Sequence, residues 1–86
     1  MKFKAAVVTE QGITFAVVPT KSHVLNSQTQ RESFRNQMST VFTGMPIILM
    51  SQNTKGTPTY HGRPDIVKFL ARIHISRIPW REYTLS

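Results

Sequence analysis

The sequence predicts an α+β fold, a single two-layer sandwich in which two helices pack on one face of a four- to five-stranded sheet that is mainly antiparallel or mixed. Three observations lead to this prediction. The chain opens with two alternating apolar runs that a short glycine-containing turn separates. Two later segments carry apolar side chains at helical spacing. The elements follow in the order β-β-α-β-β-α-β, and this mixture of hairpins and helices is typical of the α+β class.

The first two elements are predicted to form a hairpin. Residues 2–9 and 13–18 each place apolar side chains at every second position, the pattern of a half-buried strand. Gly12 supplies the permissive backbone of the turn between them. Pro19 lacks a backbone N–H and ends or bends the second strand. We interpret residues 20–25 as an edge continuation of that strand.

The first predicted helix begins with a capping box. Ser27 stands three residues before Gln30, so its hydroxyl is placed to accept the backbone N–H of that residue. The helix is predicted to run to about Phe42 and to stop at Gly44. Its apolar stripe consists of Phe34, Met38, Val41 and Phe42.

The second half of the chain is predicted to hold three strands and a helix. The unbroken apolar run 47–50 indicates a central strand buried on both faces. A turn at 53–58 leads to a short returning strand at 59–61. A helix begins near Pro64, since proline is favoured in a first turn. Residues 80–85 form the last strand.

Residues 45–70 contain a run that resembles part of a known fold. The segment Met-Pro-Ile-Ile-Leu-Met at 45–50, the turn through Gly56 and the helix that follows Gly62 resemble the C-terminal half of thioredoxin-like domains. The resemblance implies a cis peptide bond before Pro46 and a closing helix. The N-terminal hairpin departs from that family, and its redox cysteine pair is absent, so the resemblance implies no thiol chemistry.

Composition limits the class of protein. Eleven Lys and Arg oppose four Asp and Glu, a formal net charge of +7, and 86 residues suffice for one domain, predicted to span 1–86. The chain has no cysteine, which excludes disulfides, thiolate catalysis and cysteine metal sites. We predict no metal and no cofactor. Because no apolar run is long enough to span a bilayer, we expect a cytoplasmic protein without membrane contact.

The net positive charge is concentrated near the C-terminus. Five bases there face one acid, Asp65, and we predict that they form a patch for nucleic acid or another anion. Trp80 and Tyr83 are placed to stack on bases in this hypothesis. The alternative is a solvated helix face beside a core tryptophan. The candidate residues are Arg63, Lys68, Arg72, Arg77 and Arg81.

Two further groups of residues are candidate sites. Arg31 and Arg35 lie four residues apart near the start of the first predicted helix, where a bound anion would offset the repulsion between them. The alternative is that Glu32 neutralises them in part. His61 stands at a strand–helix junction, where a general base is one interpretation and an exposed loop histidine the other. No catalytic residue is assigned.

The leading functional hypothesis is a small non-enzymatic protein that binds a macromolecular partner of unidentified class, with a homo-oligomer as one arrangement. The first alternative is a nucleic-acid-binding protein that uses the patch around the second helix. The second is a small enzyme with His61 as its general base.

Overall fold

The computed structural model describes residues 1–85. Its sheet is built from β1 (Lys2–Glu10), β2 (Ile13–Pro19), β3 (Ile47–Gln52), β4 (Pro58–His61) and β5 (Arg81–Thr84). Its helices are α1 (Ser22–Leu25), α2 (Gln28–Met38) and α3 (Pro64–Leu70), and a 3₁₀ turn covers Ile75–Arg77. The strand order is β4-β3-β2-β1-β5, with β2 and β3 parallel and the other neighbouring pairs antiparallel. The predicted α+β class, five-stranded mixed sheet and element order are confirmed.

The two main helices lie on opposite faces of the sheet, which corrects the predicted arrangement of both helices on one face. Leu49 of β3 belongs to a buried cluster with Met38 of α2. The adjacent Ile48 belongs to a second cluster with Ile66 and Leu70 of α3. Neighbouring residues of a strand point to opposite faces. Because the two central strands are apolar in both phases, each face needs its own helix, and the protein has three layers.

The segment between β2 and β3 differs from its prediction in two places. Residues 22–25 form helix α1 rather than a strand edge. Helix α2 begins as predicted, with Ser27 Oγ accepting the Gln30 backbone N–H at 3.4 Å, but it ends at Met38. Phe42 lies in the turn beyond and is still buried.

Two hydroxyl groups explain the early end of α2. Ser39 Oγ donates to the Asn36 carbonyl at 2.6 Å, and Thr40 Oγ1 donates to the Gln37 carbonyl at 2.8 Å. These hydroxyls bond to carbonyls that would otherwise accept the backbone N–H groups of a further helical turn. The last residue of the predicted apolar stripe, Phe42, therefore packs in the core although the helix has already ended.

Residues 1–85 also bear on the predicted cis peptide bond and on the question of a membrane-spanning helix. Their peptide bonds are all trans, so the cis bond before Pro46 that the thioredoxin-like resemblance implied is not found. No helix in this part of the chain has the length and apolar character needed to cross a bilayer.

Candidate anion-binding site

Three of the predicted basic residues lie on or beside α3, on a surface that also carries two acids. Lys68 and Arg72 line a groove of about 300 Å³ between α3 and the β1–β2 turn. Glu10 and Asp65 line the same groove. Arg63 donates through Nε to the Asp65 carboxylate at 2.9 Å. On this face, Arg63 is thus paired with a carboxylate, and Lys68 and Arg72 share their groove with two acids without an ion pair inside 4 Å in the described part of the chain.

The other two predicted residues lie elsewhere. Arg77 is exposed in the 3₁₀ turn. Arg81 of β5 pairs with Ala5, whose side chain belongs to the α2-side core, so Arg81 lies across the sheet from Lys68. The five bases do not form one continuous surface.

Trp80 and Tyr83 are also separated by the sheet. Trp80 packs against the α3-side core and its Nε1 donates to the Ile75 carbonyl at 3.1 Å. Tyr83 packs on the α2 side, where its ring centroid lies 5.0 Å from that of Phe42. The two rings therefore do not form a shared platform for bases.

A different set of basic groups converges on the α2 face. Arg31 and Arg35 project from successive turns of α2, and His61 is the last residue of β4. His61 pairs with Leu49, whose side chain belongs to the α2-side core, and directly paired residues share a face. This register turns the imidazole toward the two arginines. We call Arg31, Arg35 and His61 the cationic cluster.

Arg35 connects three elements. Its Nη2 lies 3.1 Å from His61 Nδ1 and donates to the His61 carbonyl, also at 3.1 Å. Its Nε donates to the Ile47 carbonyl at 3.4 Å. One guanidinium thus joins α2 to β3 and to the edge strand β4, which fixes its position.

Arg31 is held from the other side. Its Nη1 donates to the Leu25 carbonyl at the end of α1, at 2.8 Å. A cation at a helix C-terminus is favourable. Its Nε is buried and has no hydrogen-bond partner among residues 1–85. The Arg31 side chain is therefore held by a hydrogen bond at Nη1, while the N–H group at Nε has no acceptor among the described residues.

Some donors of the cationic cluster stay free and reach solvent. Arg31 Nη2, Arg35 Nη1 and His61 Nε2 make no hydrogen bond within residues 1–85, and none is a buried atom. The ion pairs within 4 Å in the described chain are Lys2–Glu82 and Arg63–Asp65, and neither includes a cluster member. The cluster therefore offers donors and positive charge without a carboxylate in contact.

The surroundings also shift two pKa values. Burial, and then the positive charges of Arg31 and Arg35, lower the pKa of His61. Burial, and then the charge of Arg31, lower the pKa of Arg35, while Glu32 acts in the opposite direction. Burial and neighbouring positive charge thus disfavour the charged forms of Arg35 and His61, and a bound anion relieves the second of these effects.

The hydrogen bond from Arg35 determines the state of His61. A guanidinium has only donors, so Nδ1 must accept and His61 must be neutral with its proton on Nε2. The solvent-facing nitrogen is then a donor. This arrangement does not favour the general-base hypothesis, because the lone pair that a base needs is occupied.

His61 gives the protein a pH-dependent stability. Its lowered pKa means that the unfolded chain binds more protons below about pH 6.5, the ordinary histidine value. The free energy of unfolding should therefore fall as pH falls through this region. We expect urea midpoints to drop from pH 7.5 to pH 5.5, and to drop less in His61→Asn, whose Oδ1 still accepts from Arg35. The control is His23→Asn, at an exposed position of α1, which should keep the full pH effect. An unchanged pH effect in His61→Asn would show that His61 is not the source of the pH-dependent stability.

Comparison of the chain with protein-family models, curated proteins and solved structures finds no match. Within residues 1–85 no group of three or more His, Asp or Glu side chains is placed to hold a metal ion. The chemistry of the site is therefore argued from its own geometry. The sequence indicated two of the three cluster members, Arg31 and Arg35, as a pair and His61 as a separate candidate, but nothing in it linked the pair to His61.

Proposed function

We propose that this protein is a non-enzymatic interaction protein that binds an anionic group of a protein partner through the cationic cluster. The observation that carries the proposal is the convergence of Arg31, Arg35 and His61, with three solvent-reaching donors and no carboxylate within 4 Å in the described chain. Charge-assisted hydrogen bonds of this kind are strong and directional.

The arrangement of the other bases favours a protein partner over nucleic acid. Duplex binding uses many phosphate contacts along a continuous basic surface. Here Arg81 lies across the sheet from Lys68 and Arg72, which line a groove together with Glu10 and Asp65. A compact cluster suits a single anionic side chain, as in recognition of acidic motifs by arginine clusters. Nucleic-acid binding through Arg63, Lys68, Arg72, Arg77 and Arg81 is the alternative.

The test compares two double variants with the same change in charge. Arg31→Gln/Arg35→Gln should weaken binding of a labelled peptide of consecutive glutamates by about tenfold or more in fluorescence anisotropy, because a hydrogen bond to a charged group contributes about 1.5–3 kcal/mol. Lys68→Gln/Arg72→Gln, on the other face, is the matched control and should change the affinity by no more than about twofold, since exposed charges contribute little. Circular dichroism checks that each variant is folded.

Two results would overturn this proposal. Equal weakening in both double variants would show that only net charge matters. Tight binding of a DNA duplex, with a steep dependence on salt and a loss of affinity in Lys68→Gln/Arg72→Gln, would establish the nucleic-acid alternative.

The cytoplasmic location belongs to the same proposal, supported by the lack of cysteine. The oligomeric state stays a prediction.

A further inference from the structure

We propose that the group bound by the cationic cluster is a tetrahedral dianion, a phosphate monoester on the partner protein. This inference rests on the proposed function and specifies its ligand. The carboxylate of an aspartate or glutamate is the other anion that a protein partner carries, so the two chemistries must be separated.

The first argument is charge. Arg31 and Arg35 are two permanent cations, and within residues 1–85 neither is paired with a carboxylate inside 4 Å. His61 is neutral in this state because its Nδ1 accepts from Arg35. The three side chains of the cluster therefore carry a charge of about +2, which Glu32 offsets in part from beyond 4 Å, and a phosphate monoester carries about −1.5 to −2 at neutral pH. A single carboxylate, with a charge of −1, compensates less of this positive charge than a phosphate monoester does.

The second argument is the number of free donors. The three free donors come from three side chains, at Arg31 Nη2, Arg35 Nη1 and His61 Nε2, and two of those side chains are held by bonds to main-chain carbonyls. A carboxylate presents two oxygens in one plane, whereas a phosphate monoester presents three oxygens in three directions. Three donors on three side chains thus equal in number the oxygens of a phosphate monoester and exceed those of a carboxylate.

The third argument is the unbalanced environment of Arg31. Its Nε is enclosed without an acceptor, and its positive charge lowers the pKa of both His61 and Arg35. A charge at this position therefore acts on the whole cluster. A dianion held by the free donors offsets the effect of this charge on Arg35 and His61.

The experiment titrates the ¹⁵N-labelled wild-type protein with two peptides of the same sequence, one with phosphoserine and one with glutamate at the central position, at pH 7.5 and constant ionic strength. We expect the phosphopeptide to shift the Arg31, Arg35 and His61 side-chain signals and to bind about tenfold more tightly or better. This readout needs no variant, so it holds even if Arg35→Gln fails to fold. Arg31→Gln should remove most of the phosphopeptide preference, and Lys68→Gln should keep it.

The outcomes separate the inference from the proposed function. Equal affinities for the two peptides, with shifts at the cluster, would overturn the phosphate inference and leave the proposed function standing. No shift at the cluster with either peptide would overturn both. Inorganic phosphate is the third ligand: binding as tight as that of the phosphopeptide would support the phosphate chemistry, assign its source to free phosphate and overturn partner binding.

Discussion

Ile48→Ala is expected to lower the free energy of unfolding by about 2–5 kcal/mol, the range for truncating a buried isoleucine. Ile48 is fully buried in the central strand β3, in the cluster that includes Ile66 and Leu70 of α3. Small domains have only about 5–15 kcal/mol of stability, so this change brings the protein close to unfolding. Urea denaturation followed by circular dichroism measures the effect.

Leu49→Ala is the matched comparison on the other face. Leu49 is also fully buried, among the residues packed under α1 and α2. The three-layer arrangement predicts losses of similar size for the two substitutions. If both helices covered one face, Ile48 would face solvent and its truncation would cost within about 0.5 kcal/mol, the usual range for surface positions. A loss that small would contradict the observed arrangement.

Gly62→Ala is expected to destabilise the protein by about 2–5 kcal/mol, combining overpacking of about 1–3 kcal/mol with backbone strain of similar size. A Cβ at this position would lie 3.1 Å from the Ile47 carbonyl oxygen and closer still to Ile48 Cδ1. The φ of +158° adds the strain, because side chains rarely adopt it. Thermal and urea unfolding measure the loss.

Gly44→Ala separates the two contributions to that loss. Gly44 also has a positive φ, of +77°, but nothing lies within 4 Å of an added Cβ. It should therefore show the strain without the overpacking, about 1–2 kcal/mol. Equal losses at Gly44 and Gly62 would show that the approach of Gly62 to β3 contributes nothing.

The approach of Gly62 to β3 bears on the cationic cluster. Gly62 follows His61 directly and lets the β4–α3 junction lie against β3. A residue with a side chain would push this junction away and move the imidazole relative to Arg35. The same glycine that permits the close junction thus keeps His61 in reach of α2.

Local signals along the chain were enough to predict the strands and the two main helices, but not α1, which was predicted as a strand edge. Alternating apolar residues indicated the β1–β2 hairpin, and the unbroken run at 47–50 indicated a strand buried on both faces; both are present. The capping pair Ser27 and Gln30 located the start of α2. These features depend on residues close in sequence, so periodicity and turn chemistry suffice for them. The end of α2 was missed because side-chain hydroxyls compete there with the helical bonds.

The sequence by itself determined the element order, the central buried strand and a chain of net charge +7. Only the tertiary structure decided which face each helix covers and which basic residues meet. Arg35 and His61 are 26 positions apart, and they meet because the pairing of His61 with Leu49 turns the imidazole toward α2. Lys68 and Arg81, nearer to each other in sequence, are separated by the sheet. The physical reason is the alternation of a strand, since a register shift of one residue reverses the face on which a side chain lies.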